Sequence, residues 1–588
     1  MTRLLAQEPL AAGARVSASL KAWLEHPVRN PLHAAGRAPE EAGGLADILA
    51  QKAGERALSM DAGARLALVQ ALERQYLLSG LHALPSGIKA LLDPCTVVVT
   101  TAHQPNWMGG PAYWLHKMCS TVSLARNLNQ MVPEYKWIPV YWMGSEDHDL
   151  AELAHCYVGG LRLEWPGLQG PLVREDRPLA FGRVPVHGGA NQAGGEGDYK
   201  ALELLEHELE ALLGEAPFAR ECMELWRKAW RDGVSVADAA RRAAHALLGE
   251  GGWLFQGLAA DKEGKAGGTV QGLLVVDGDD AGLKEQVAWL WEDQRSHPGL
   301  AASLVRQASG ELREKEGIEA DLKVREQPYF ILDGLHRLRP EEGSAPEGES
   351  SYGPGQFSPG VALRPLYQEA VLPNVVTVGG GAEVLYWTLL QPLFEQYKVA
   401  FPALMLRPSL AWLDAGQWTE WTGLGRGTED LKVASEALSR QDLQRLAALH
   451  GLRWTELEAL DPAGSEENAL SSAWQSLLGP LERAMLEADP GLSSAWGAGL
   501  HRIHSEVERM VQLHHKALRR RFKEELSKAQ ALDQHLNPGG HPMERREGMW
   551  LPLAQGGPAL LLRYLDWLNP LDHDRSTAAP WYRWVVLP

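Results

Sequence analysis

Cysteine is scarce: four in 588 residues. Cys95, Cys119, Cys156 and Cys222 lie far apart and form no C-x-x-C pair, so neither a zinc knuckle nor a disulfide framework is indicated. A reducing cytoplasm fits that usage. No apolar run reaches the length of a membrane span, and the N-terminal stretch lacks the continuous apolar core of a signal peptide. The expectation is a protein in solution inside the cell, with no membrane partner. Basic residues are outnumbered, 57 Lys and Arg against 75 Asp and Glu, for a net charge of −18. That balance argues against a nucleic-acid partner, whose phosphates need a basic face. H-E-x-x-H and EF-hand spacings are missing too, and no metal is expected.

What is present is ordinary for a globular chain, 45% hydrophobic and 22% charged. The length exceeds what one core supports and predicts two or three domains. Residues 1–92 read as a helical lead-in to the core, with apolar positions at helical spacing in "ARLALVQALERQYLLSGL". Residues 93–159 then run strand, helix, strand: "TVVVTTA" is continuous and β-branched, the stretch after Pro111 has helical period, and "WIPVYWM" is again a buried strand. This is a βαβ unit and makes the fold class α/β. Residues 160–230, rich in glycine and acids, form an insertion with its own helices. The α/β rhythm resumes over 231–427 with "VADAARRAAHALL", "GLLVVDGDD", "NVVTV" and "ALMLRPS". The Pro/Gly/Ser-rich stretch near 340–360 predicts a mobile loop. Residues 428–535 turn helical, and 536–588 close the chain. Ile503, Val507, Met510, Val511, Leu518, Phe522 and Leu526 recur at threes and fours as a coiled-coil-like stripe. The adjoining run Arg519, Arg520, Arg521 reads as a solvated helix face, or else as an anion contact.

In open parallel sheets ligands bind beyond the carboxyl ends of the strands, where helix N-termini point free N–H groups into the crevice. Five strand exits here carry polar or glycine residues: His103 and Gln104; Glu146, Asp147, His148 and Asp149; Asp277; Gly379, Gly380 and Gly381; and Arg407. Gly109 and Gly110 before Pro111 give either a tight turn or a close approach for an anion. On the helix that follows, His116 points away from the stripe of Trp114, Met118, Val122 and Ala125, with Lys117 beside it. The run "SEDHD" crowds three carboxylates and an imidazole on one loop, which suits polar recognition or general-base work better than a metal.

Four stretches, "TTAHQPNWMGGPAYWLHK", "IPVYWMGSEDHDLAEL", "LRPLYQEAVLPNVVTVGGGAEVLYW" and "LNPGGHPMERRE", resemble in order and spacing the cysteine-adding ligase family of bacillithiol biosynthesis. The resemblance runs from about residue 60 to the C-terminus. It implies a Rossmann-like parallel-sheet core with connective insertions and a C-terminal helical coiled coil that makes a homodimer. It also implies condensation of L-cysteine with glucosaminyl-malate. The family's motif positions fall on His103, Gln104, Gly110, Pro111, Lys117, Glu146, Asp147, His148, Asp149, Gly379, Gly380, Glu383 and Tyr386, while Tyr113 and Arg364 lie within the matching stretches. The catalytic candidates are Glu146, Asp147, His148 and Asp149, and the substrate-binding candidates are His103, Gln104, Gly109, Gly110, Tyr113, His116, Lys117, Arg364, Gly379, Gly380, Gly381, Glu383, Tyr386 and Arg407. No H-x-G-H adenylation signature occurs, so ATP or another nucleotide is an open cofactor. The rival expectations are an ATP-dependent nucleotidyl transferase on the same core and a non-catalytic dimeric scaffold.

Overall fold

The computed structural model describes residues 2–12, 16–35, 42–170, 172–186, 196–230, 234–261, 269–340, 352–433, 435–452 and 469–587. It divides into two compact units, residues 1–412 with 541–588, and residues 413–540. The first unit thus takes in most of the closing segment, and the second starts before residue 428.

The first unit contains the strands β1 (Thr96–His103), β2 (Lys136–Met143), β3 (Leu274–Asp277), β4 (Tyr329–Asp333), β5 (His336–Leu338), β6 (Phe357–Pro359), β7 (Asn374–Gly379) and β8 (Ala403–Leu406). Five of them form one parallel sheet in the order β8-β7-β1-β2-β3. All eight residues of β1 are buried, which explains its continuous run of valine and threonine: a strand covered on both faces has no polar side to alternate with. Its hydroxyls are satisfied across the β1–β7 pair, Thr100 donating to Asn374 Oδ1 (2.8 Å) and Thr101 to the Val378 carbonyl (2.9 Å). Val97, Val99, Val376, Val378 and Trp137 pack with Leu124 and Leu128 of helix α1 (Tyr113–Met131) in one core cluster. The strand order reverses between β1 and β7, so the crevice of this doubly wound sheet lies beyond His103 and Gly379.

The sequence reading differs from the structure in three places. Residues 1–92 are not wholly helical, because Arg3–Pro9 is a strand paired antiparallel with Trp581–Val586. Its partner lies at the other end of the chain, beyond the reach of local periodicity. Within the expected mobile loop, residues 341–351 lie outside the described residues, but β6 is an ordered strand paired with β4. The apolar stripe is also divided. In the second unit, helix α3 (Ser435–Leu449) contacts α4 (Ser493–Arg521) and α5 (Lys523–Leu536). Val511, Leu518 and Phe522 are buried there, whereas Ile503 and Met510 are 39% and 59% exposed. The His450 ring lies 5.0 Å from that of Phe522. Half of the stripe is therefore covered within its own chain. The buried Arg426 guanidinium ties this unit together, paired with Asp442 at 2.6 Å and Asp533 at 2.8 Å. Arg519, Arg520 and Arg521 are exposed, the solvated face that their spacing allows.

Candidate active site

A cavity of about 530 Å³ opens where the strand order reverses. Ten of the residues singled out in the sequence line it: His103, Gln104, Tyr113, Lys117, Glu146, Asp147, His148, Arg364, Glu383 and Tyr386. They come from the β1, β2 and β7 exits, from the helices that follow β1 and β7 and, for Arg364, from the helix Leu363–Val371 that precedes β7. A cavity of this size at this edge suits a small polar molecule.

The charges in it are paired across elements. Lys117, on α1, donates to Glu383 Oε2 at 2.6 Å and to the Ala102 carbonyl at 2.8 Å. Glu383, on helix α2 (Gly381–Thr388), also reaches back to the Gly380 N–H at 3.4 Å. Burial lowers the pKa of Lys117. Burial would raise that of Glu383, but Lys117 and Arg364 hold it below the ordinary carboxylate value. Arg364 donates to the Tyr386 hydroxyl at 2.9 Å and to Gln368 at 3.0 Å. Opposite them, Asp147 accepts from Gln104 Nε2 at 2.8 Å. Burial opposes its ionisation, yet Arg337 and that hydrogen bond keep its pKa low.

Glu146 is 6% exposed and pairs with Lys284, whose side chain is fully buried. The same ammonium donates to Asp279 at 2.8 Å, and Asp279 is also clasped by Arg183. One lysine thus serves two carboxylates. Asp279, with a second cation, stays ionised, while burial pushes Glu146 up to about 7 despite Lys284. The acids at the β3 exit therefore support the β2 exit. Asp277 bonds Ser145, and Asp279 holds the lysine that holds Glu146.

Arg337, Phe330, Tyr367, Trp142 and Lys284 were not singled out in the sequence. A signal existed for Arg337, because "YFILDGLHRL" has the Asp-Gly of a hairpin between two short apolar runs. That hairpin, β4–β5, carries both Phe330 and Arg337 into the cavity.

The other predicted residues lie elsewhere. Gly109 and Gly110 form a buried turn with φ of +82° and +57°, and a Cβ on Gly110 would sit 2.5 Å from Asn106 Cβ. They are needed by the chain, and the helix start they would offer is taken: the Ala112 N–H donates to the Glu547 carbonyl at 2.7 Å. His116, expected to point away from the core, is fully buried because residues 541–548 and helix α6 (Trp550–Trp567) cover that face. Its Nδ1 lies 2.7 Å from Glu544 Oε2, and Arg407 pairs with the same carboxylate at 2.8 Å. Asp149 is exposed and caps the short helix Leu150–Leu153. Gly379 is a buried strand end. Gly380, Gly381 and Arg407 line a neighbouring cavity of about 240 Å³, together with Arg545. Among the described residues no cluster of three His, Cys, Asp or Glu forms a metal-ligand set, and no helix is long and apolar enough to cross a membrane.

Sheet order and cavity position define a Rossmann-like α/β protein with a polar site at its switch point, carrying a helical unit. Two family models sharpen that class. "Bacillithiol biosynthesis BshC, N-terminal Rossmann-like domain" matches residues 47–262 and 347–408, and "Bacillithiol biosynthesis BshC, C-terminal coiled-coil domain" matches 449–577. The chain belongs to the BshC family. Relatives named "Putative cysteine ligase BshC" include that of Flavobacterium psychrophilum, 27% identical over 86% of this chain and 87% of its own. Those of Flavobacterium johnsoniae (26% identical; 88% and 90%) and Bacillus cytotoxicus (23% identical; 78% and 80%) are similar in extent.

Proposed function

We propose that this cavity joins L-cysteine to glucosaminyl-malate through an amide bond, the last assembly step of bacillithiol. The observation that carries the reading is the opposition of charges around one small cavity: Lys117, Arg337 and Arg364 against Glu146, Asp147 and Glu383. An amino acid bears both signs, and an amino sugar carrying malate brings an amine and two carboxylates, so such a lining matches both partners. Amide formation requires the sugar nitrogen to lose a proton as it attacks the acyl carbon. Glu146, with a pKa near neutrality and a place on the cavity wall, accepts that proton. The new C–N bond forms as the leaving group departs from the acyl carbon.

A free carboxylate and a free amine do not condense in water, so the acyl group needs activation. The neighbouring cavity fits the phosphates of a nucleotide. Arg407 lines it with a buried Nε that has no hydrogen-bond partner, and a Cβ built on Gly380 meets nothing within 4 Å. Gly380, Gly381, Arg407 and Arg545 would hold such a group, which would activate the cysteine carboxyl by phosphoryl or nucleotidyl transfer to its oxygen, the phosphate or nucleotide being what then leaves the acyl carbon. Incubation with cysteine and glucosaminyl-malate, with and without ATP, should give by mass spectrometry a product heavier by one cysteinyl group. Absence of that mass under both conditions, and after addition of cell extract as a source of activating factors, rejects the reaction.

The assembly we propose is a homodimer through the exposed half of the stripe. Ile503, Met510 and Leu513 on α4 are 39%, 59% and 50% exposed. Covering such side chains is worth roughly 1.5–3 kcal/mol each when burial is complete. Light scattering should give a dimer, and Ile503→Glu with Met510→Glu a monomer whose first unit remains folded. Phe522 is unsuited to this test because it is buried within its own unit. A wild-type monomer at micromolar concentration refutes the assembly.

A further inference from the structure

The two histidines of the cavity each face a partner that can play only one hydrogen-bonding role. His103 Nδ1 lies 2.9 Å from the Gln104 carbonyl oxygen, an atom that only accepts, so Nδ1 carries the proton and Nε2 is left with a lone pair. His148 Nδ1 lies 3.1 Å from Arg337 Nη1, and a guanidinium only donates. There the lone pair is on Nδ1 and the proton on Nε2.

Arg337 is itself fixed. Its Nε donates to Ser358 Oγ at 2.8 Å and its Nη2 to the Pro359 carbonyl at 2.6 Å, and its guanidinium lies 4.0 Å from the centroid of the Phe330 ring. Phe330 packs in turn against the His148 ring at 5.3 Å. The imidazole is thus held by an aromatic ring and by a cation whose Nε and Nη2 are each bonded elsewhere. Its Nε2 has no partner among the described residues, and the side chain lines the cavity.

We propose that the cavity holds its two histidines in opposite tautomers, His103 offering an acceptor and His148 a donor, and that Arg337 is the positioning residue that sets the second. The inference rests on the reading of this cavity as the substrate site. His148 then acts as a hydrogen-bond donor to an oxygen of the bound substrate, leaving proton abstraction to a carboxylate. The charged groups facing His148 are Arg337 and Arg339, which disfavour the imidazolium, and Asp147 and Asp149, which favour it; burial and Arg337 prevail and lower its pKa.

The test needs no substrate. Long-range nitrogen–proton spectra of the full chain labelled in histidine, assigned with His103→Gln and His148→Gln, report which ring nitrogen bears hydrogen. The expected result is hydrogen on Nδ1 of His103 and on Nε2 of His148. In Arg337→Met the His148 pKa should rise toward its ordinary value and imidazolium should appear at a pH where wild type is neutral. Arg337→Lys, keeping a cation, should hold it down. An unshifted His103 signal shows that the variant cavity is folded. Hydrogen on Nδ1 of His148 in wild type, or a His148 titration unmoved by Arg337→Met, overturns the proposal. Either spectrum can be read even if the ligase reaction fails.

Discussion

Glu544→Ala should cost on the order of 3–5 kcal/mol of folding stability, the range for removing one partner of a buried ion pair. The carboxylate is 1% exposed and accepts three bonds, from Arg407 at 2.8 Å, His116 at 2.7 Å and the Leu410 N–H at 3.2 Å. Truncation leaves a buried guanidinium and a fully buried imidazole without their shared acceptor. It also loosens residues 541–548 from α1, whose helix start takes the Glu547 carbonyl. Burial opposes ionisation of Glu544, but Arg407 and His116 hold its pKa well below the ordinary value. Its stabilising contribution is therefore complete above the unfolded carboxylate pKa and is lost as pH falls below it. Urea denaturation of wild type and variant at neutral pH measures the loss, and the same comparison in acid should show the gap narrowing. A difference below about 1 kcal/mol at neutral pH would mean that the pair is solvated.

The sheet was legible because its five strands are short apolar runs buried on both faces, and such runs can be read without knowing their neighbours. Their exits were legible for the same reason, since polar residues and glycines stand out where a buried strand ends. The partners of those exits were not. His116 and Glu544 are 428 residues apart, Arg337 and His148 are 189, and Lys284 and Glu146 are 138. Side-chain spacing on one helix indicates which face is apolar but not what covers the opposite face. Spacing alone therefore assigns His116 to the polar face of α1, a face that another segment buries. The stripe on α4 and α5 shows the same limit. Heptad spacing predicts that apolar residues will be covered, yet it does not say whether the cover is a second chain or, as for Val511, Leu518 and Phe522, the same chain. The acidic run at residues 146–149 was legible as a cluster but not as four environments: an exposed helix cap at Asp149, a clamped ring at His148, an ionised carboxylate at Asp147 and a carboxyl raised to about 7 at Glu146.

That last environment leads to the largest expected effect on turnover. Glu146→Gln keeps an oxygen for Lys284 and nearly the same volume but cannot accept a proton, so turnover should fall by roughly 10²–10⁴-fold, the usual yield of a positioned general base. In wild type the carboxyl, raised to about 7 from 4.5 by burial, must be ionised to act. The rate should therefore fall as pH is lowered through 7, and the variant should lack that acid limb. Stability runs the opposite way. A carboxyl whose folded pKa is raised binds more protons in the native state than when unfolded, so wild-type stability declines as pH rises from 4.5 to about 7. The variant should lose that component of the slope and be no less stable at neutral pH. Product formation followed by mass spectrometry on both sides of neutrality, alongside denaturation at the same pH values, separates the two effects. Undiminished turnover in Glu146→Gln, or an acid limb that survives the substitution, would assign the proton to Asp147 or to the substrate itself.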